Sequence, residues 1–148
     1  LDISNQNISD LTGIEDFINL INLNCSDNQL TNINISQNIK LEVLLIGCPM
    51  AGIWSCDGGN LITNLDLSNN NKIQRLSCDN NKLSSLDLSN LSNLEVFTVT
   101  NNPNLSCIKV DDVEYAIQNW STVEGGWTDN ITISALDTST HYFSTNCP

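Results

Sequence analysis

The stretch Leu65-Asp66-Leu67-Ser68-Asn69-Asn70, answered 21 residues later by Leu86-Asp87-Leu88-Ser89-Asn90-Leu91, decides how this chain is read. Between the two lies Leu76-Ser77-Cys78-Asp79-Asn80-Asn81, which obeys the same rule: apolar, polar, apolar, two polar, then usually Asn. In an extended segment successive side chains alternate, so Leu65 and Leu67 point inward and Asp66 outward. The rule recurs at Leu23/Cys25/Asn28, Ile33/Ile35/Asn38, Leu44/Ile46/Pro49, Trp54/Cys56/Gly59 and Phe97/Val99/Asn102, and closes at Ile108/Val110. The first apolar positions, 23, 33, 44, 54, 65, 76, 86, 97 and 108, are 10 or 11 apart. Two units make a 21-residue period, the mark of a solenoid whose coils stack and share one core. Pro49, Gly59 and Leu91 stand where Asn is expected, which leaves the local turn shape open in the Gly47–Gly59 stretch.

Composition fits this reading. Of 148 residues, Asn supplies 24, Leu 19 and Ile 16, as a repeat of apolar rungs and Asn turns requires. Asn tolerates left-handed backbone and bonds locally to its own chain, so stacked Asn side chains can satisfy backbone groups leaving the strand plane. Asp and Glu number 17 against 5 Lys and Arg, a net charge of -12. That excludes a nucleic-acid surface, which needs clustered cations, and argues against docking on an anionic membrane. No apolar run approaches the ~18 residues of a membrane span, and no basic segment followed by an apolar one marks a signal peptide. The opening Leu1-Asp2-Ile3 already alternates, which reads as a mature protein or a fragment of a longer one.

The first turn departs from the rule. Leu1/Ile3/Gln6/Ile8 fits a strand unit, but the next unit is replaced by Leu11–Leu20, whose Leu11, Ile14, Phe17 and Ile18 are spaced for a short helical turn.

These residues resemble the leucine-rich repeat family, whose pattern is read in Leu20-Ile21-Asn22-Leu23-Asn24-Cys25-Ser26-Asp27-Asn28-Gln29-Leu30 and in Leu83-Ser84-Ser85-Leu86-Asp87-Leu88. The nested 10/11 spacing is similar to the 21-residue subclass of bacterial surface proteins, and the Ile8-to-Leu20 stretch resembles an internalin-type 22-residue repeat. The resemblance implies a mainly β, right-handed solenoid with short parallel strands on two sides. It would span residues 1–110, followed by a C-terminal capping segment, 111–148.

A solenoid end exposes apolar surface and an unpaired strand edge, so it needs a cap. Asp111 and Asp112 suit a helix start, with Val113, Ala116, Ile117 and Trp120 on one face, and Trp127, Ile131, Ile133, Tyr142 and Phe143 are available to cover the last coil. A Cys107–Cys147 disulfide would pin this tail, an arrangement that resembles the cysteine-bearing C-terminal flanks of extracellular leucine-rich repeat proteins. Cys25, Cys56 and Cys78 occupy the second inward slot. They read either as a redox or metal pair or as small buried hydrophobes, and the absence of Cys-x-x-Cys favours the second. Cys48 falls in the irregular stretch.

No catalytic constellation emerges. The sole histidine, His141, reads as a partly exposed cap residue, and neither Gly58-Gly59 nor Gly125-Gly126 has the surroundings of a phosphate loop. Neither metal nor cofactor is expected. One outward row is read as Asp2, Asn24, Leu45, Asp66, Asp87 and Lys109, the other as Asn34, Ser55, Ser77 and Thr98. The first is charged and varied, so binding is assigned to Asn24, Leu45, Asp66, Asp87 and Lys109. Asp66 and Asp87, in one slot of successive coils, read either as a weak calcium contact or as a repeat-copied solubilising residue. The function expected is a non-enzymatic extracellular recognition module, secreted or on a bacterial surface, monomeric and meeting a protein or glycan. The alternative is a structural spacer or carbohydrate-associated module of a larger secreted bacterial enzyme.

Overall fold

A computed structural model describes residues 1–47, 59–120 and 141–148. The expected rungs form. Strands β1 (Asn22–Asn24), β2 (Val43–Leu45), β3 (Arg75–Ser77) and β5 (Val96–Thr98) build one parallel sheet, in the order β1-β2-β3-β5. Strands β4 (Leu86–Asp87), β6 (Cys107–Lys109) and β7 (Tyr142–Ser144) build a second, also parallel. The inward residues of the first sheet, Leu23, Leu44, Leu76 and Phe97, are wholly buried in register with one another. Leu86, Ile108 and Phe143 form the corresponding rungs of the second. Both sets enter one hydrophobic core, so neither sheet has an apolar face of its own to hide.

The register corrects the arithmetic of the sequence. Leu23 to Leu44 and Leu76 to Phe97 are steps of 21, but Leu44 pairs directly with Leu76, a step of 32. One coil is therefore eleven residues longer than its neighbours. The extra length lies between Ile46 and Asn60, because Asn60 takes the turn position that Asn28 holds one coil earlier, donating to the carbonyls of both Cys25 and Ile46. Trp54, Ser55 and Cys56, expected as a rung, lie outside the described residues with Cys48 and Pro49. In the ladder Leu44 and Leu76 are direct neighbours. The extension happens to match one repeat unit in length, which is why the spacing of apolar positions conceals it. Its two flanking glycines sit against the next coil: a Cβ on Gly47 would lie 2.1 Å from the Asp79 nitrogen, and one on Gly59 1.8 Å from the Asn80 oxygen.

The Asn turns act as staples between coils. Asn81 Oδ1 accepts from the Ile62 amide at 3.1 Å, while its Nδ2 donates to Ile46 one coil back and to Cys78 and Asp79 in its own coil. Asn102 repeats this toward Leu83, Cys78, Val99 and Thr100. The residue before each turn Asn takes left-handed backbone at Asp27, Asn80 and Asn101, with φ of 53°, 52° and 56°, a region that Asn and Asp enter at low cost. On the opposite side Asn38 and Asn70 donate to carbonyls of the preceding coil, and the series stops at Leu91. There Asn90 reaches back to Leu67 and Ser68 instead.

The expected helical turn of the first coil is the 3-10 helix Ile14–Asp16, entered through Gly13 at φ 98°. At the other end helix α1 (Val113–Trp120) starts as read, with Asp112 accepting from the Tyr115 amide at 2.9 Å. Ala116 is buried and Val113 packs on the core, but Ile117 is 52% exposed and not on the covered face. Strand β7 pairs with β6 and α1 packs against it, so the tail continues the second sheet by one strand. The Cys107–Cys147 disulfide forms, with Cα atoms 5.7 Å apart. Phe143 is buried and Tyr142 exposed. Trp127, Ile131 and Ile133 lie outside the described residues.

Candidate functional site

The extra eleven residues move the expected binding row apart. Asn24 and Leu45 stand on the first sheet, in register with Ser77 and Thr98 rather than with the acids. Asp87 and Lys109 are paired on the second sheet, and Asp66 lines a recess with Asp87 there. The row read as continuous from Asp2 to Lys109 is thus two rows on two faces. Ser77 and Thr98, assigned to the opposite row, share the face of Asn24 and Leu45.

The first face carries two outward columns. One runs Asn22, Val43, Arg75, Val96, and the other Asn24, Leu45, Ser77, Thr98. Arg75 is exposed, whereas Val43, Leu45, Val96 and Thr98 are half-buried. Below the second column sits an acid that the sequence reading passed over. Asp79 is 1% exposed and accepts from Ser77 Oγ at 2.9 Å, from the Thr100 amide at 2.8 Å, from Thr100 Oγ1 at 2.7 Å and from Thr98 Oγ1. A buried carboxylate is tolerated when its oxygens are filled by donors, and three hydroxyls and an amide fill these. The network ties β3 to β5. The hydroxyls at Ser77, Thr98 and Thr100 around one Asp were the available signal.

On the second face the acids serve their own turns. Asp66 Oδ1 accepts from the Ser68 amide at 2.9 Å, and Asp87 Oδ1 from the amide and hydroxyl of Ser89. The same bond joins Asp2 to Ser4, Asp10 to Thr12, Asn24 to Ser26 and Asn34 to Ser36. The recurring Asp/Asn-x-Ser/Thr triplet is therefore a turn device, legible in the sequence once the spacing of two is sought. These bonds hold the Asp66 carboxyl below its ordinary range. At Asp87 partial burial pushes upward, but bonds from Lys109 and Ser89 prevail and the net direction is also down. Lys109 Nζ lies 2.8 Å from Asp87 Oδ2, an exposed ion pair that neutralises the acid expected to read a partner. Among the described residues no group of three or more His, Cys, Asp or Glu could hold a metal ion.

Cys25 and Cys78 are buried and free. Burial raises the Cys25 thiol to about 12 and pushes the Cys78 thiol well above its ordinary value, so neither is a thiolate nucleophile. They act as small apolar rungs, separated in their column by Ile46. His141, expected partly exposed, is 6% exposed. It precedes β7, and the strand's pairing with β6 carries it inward.

No family model and no curated protein sequence matches this chain. Solved structures do. The functional domain of InlJ from Listeria monocytogenes, described as including a cysteine ladder, matches with a TM-score of 0.58 and 26% identity over 90% of this chain. An internalin, InlF, from Listeria monocytogenes strain 4b F2365 matches with a TM-score of 0.52 and 24% identity over 76%. This chain spans 30% of the first of those chains and 42% of the second. Stacked parallel coils, the Asn staples, the helical first turn and these two likenesses agree: the chain has a leucine-rich repeat fold similar to that of internalins.

Proposed function

We infer that the chain is a non-enzymatic recognition module that binds protein through the outward face of its first sheet. The observation that carries this reading is the face itself. Four hydrogen-bonded strands hold half-buried Val43, Leu45 and Val96 beside exposed Arg75 in fixed register. An apolar centre with an Arg and a polar rim is the composition of protein interfaces. A rigid sheet also spares the ordering cost of binding. The internalin likeness supports protein as the partner class. Of the residues first assigned to binding, Asn24 and Leu45 belong to this face, and Asp66, Asp87 and Lys109 form a separate row used for turns and for one another.

The module works outside the cell, secreted or surface-held, as a monomer. The disulfide supports an oxidising compartment, and among the described residues no helix is long and apolar enough to cross a membrane. Residues 1–110 are the recognising solenoid and 111–148 its cap. The test is binding to an array of extracellular proteins and glycans, comparing the wild type with Leu45→Asp and with the double change Asp66→Lys/Asp87→Lys. Protein hits lost in Leu45→Asp and kept in the double variant are expected. The reverse pattern, or hits confined to glycans, overturns the reading.

A further inference from the structure

We propose that Arg75 is the anchor of the first face and that it receives a carboxylate from an acidic, partly apolar segment of the partner protein. This rests on the reading of that face as the binding surface and adds the chemistry of what it binds. The chain has one arginine, and its net charge is -12. That arginine stands at the second-last strand of the four-stranded sheet, with Val43 and Val96 as its register partners on either side.

Of the other exposed cations, Lys72 and Lys82 lie outside the strands of this face, and the remaining two are engaged within the solenoid. Lys109 bonds Asp87 at 2.8 Å and Lys40 bonds Asn19 at 2.7 Å. The Arg75 side chain makes no hydrogen bond or ion pair among the described residues, although Glu42 and Glu95 lie one residue before its register partners. An unpaired guanidinium with apolar residues on both sides is a strong site for a carboxylate. Its planar fork takes two oxygens at once, and the β-branched neighbours exclude water from the bond. Arg set in such a surround is among the residues that carry most of the energy of a protein interface.

The flanking acids define the partner further. Glu42 and Glu95 repel a ligand of dense negative charge, so one carboxylate beside apolar side chains fits where a phosphate cluster does not. The aliphatic partners of that carboxylate would cover Val43, Leu45 and Val96.

The experiment pans a displayed random dodecapeptide library on the intact disulfide-bonded protein and measures each enriched peptide against variants. Peptides carrying Asp or Glu next to apolar residues are expected. They should bind Arg75→Met at least about tenfold more weakly, and Arg75→Lys at an intermediate level, because lysine keeps the charge and loses the fork. Replacing the peptide's acid with its amide should cost a similar factor on the wild type and nothing on Arg75→Met. Peptides that lose binding in Leu45→Asp but bind Arg75→Met as well as the wild type overturn the anchor and leave the face standing. Peptides indifferent to both changes overturn the face and the anchor with it. Enrichment of phosphopeptide or basic sequences overturns the partner class. Equal urea midpoints for the three variants exclude misfolding as the cause, since both positions are on the outward surface.

Discussion

The two sides of the coil are built on one sequence rule and differ in what their Asn residues accomplish. On the first side Asn28, Asn60, Asn81 and Asn102 use both ends of the amide, the oxygen accepting from the preceding coil and the nitrogen donating to two coils. On the second side Asn38 and Asn70 only donate, their buried Oδ1 atoms have no partner among the described residues, and Leu91 ends the series. A buried donor or acceptor left unmade costs more than a bond made is worth. The same residue at equivalent positions is thus a full staple on one side and half of one on the other. Continuity follows. Among the described residues the first side pairs strands over four rungs, while the second has strands only at β4, β6 and β7 and is closed by a disulfide.

Breaking the closure should have the largest effect. The disulfide joins residues 40 apart in sequence, and the chain-entropy account gives such a crosslink about 4 kcal/mol. The double change Cys107→Ser/Cys147→Ser should lower urea stability by about that amount. Hydrogen exchange should speed at Cys107–Lys109 and Leu86–Asp87, with Leu44 and Leu76 still protected. Uniform loss of protection over both sheets contradicts a closure that acts on the second side alone.

Asn81→Ala should cost about 3 kcal/mol, because it orphans the Ile62 amide and removes the donor to three carbonyls. Asn70→Ala, its counterpart, should cost about 1 kcal/mol, since it removes two donated bonds together with a buried oxygen that had none. Equal losses in denaturant titrations would erase the distinction between full and half staples.

The smallest effect belongs to the outward acids. The Asp66 carboxyl is held low by bonds from Ser68, so its contribution is complete above the ordinary carboxylate value of 3.8 and disappears as pH falls through its lower folded value. Asp66→Asn keeps an acceptor oxygen and does not titrate. The stability difference between wild type and variant should therefore shrink or reverse as the pH drops below 3.8, which an acid titration of the two proteins reads directly. A difference that grows on acidification contradicts the turn assignment.

The inward pattern was legible because burial enforces period two along each strand, and Leu23, Leu44, Leu76 and Phe97 are where the spacing puts an apolar rung. The helical first turn and the Cys107–Cys147 closure were legible for the same kind of reason, one from spacing and one from the need to cap an end. Face membership was not. It depends on whether an even or odd number of units separates two rungs, and an extension of one unit's length changes that count without disturbing the spacing. The signal that resolves it is Asn60, since Asn60-Leu61-Ile62 repeats the Asn-x-apolar step of Asn28-Gln29-Leu30 and Asn81-Lys82-Leu83. Asp79 was hidden for another reason. Ser26 and Thr100 hold the same slot in other coils, and only the packing of Thr98 and Thr100 against Asp79 makes it a buried node.

The direct pairing of Leu44 with Leu76 places Leu45, Ser77 and Thr98 on one face. Deleting residues 48–58 and joining Gly47 to Gly59 gives Leu44-Leu45-Ile46-Gly47-Gly59-Asn60, which matches Leu23-Asn24-Cys25-Ser26-Asp27-Asn28 position for position. The measurement is urea unfolding of this variant together with its amide exchange. Cooperative unfolding with Leu44 and Leu76 still protected is the result the account predicts. Loss of cooperative folding, or loss of protection confined to β2 and β3, would mean that the deleted residues are an integral half-coil and would contradict the arrangement of the faces.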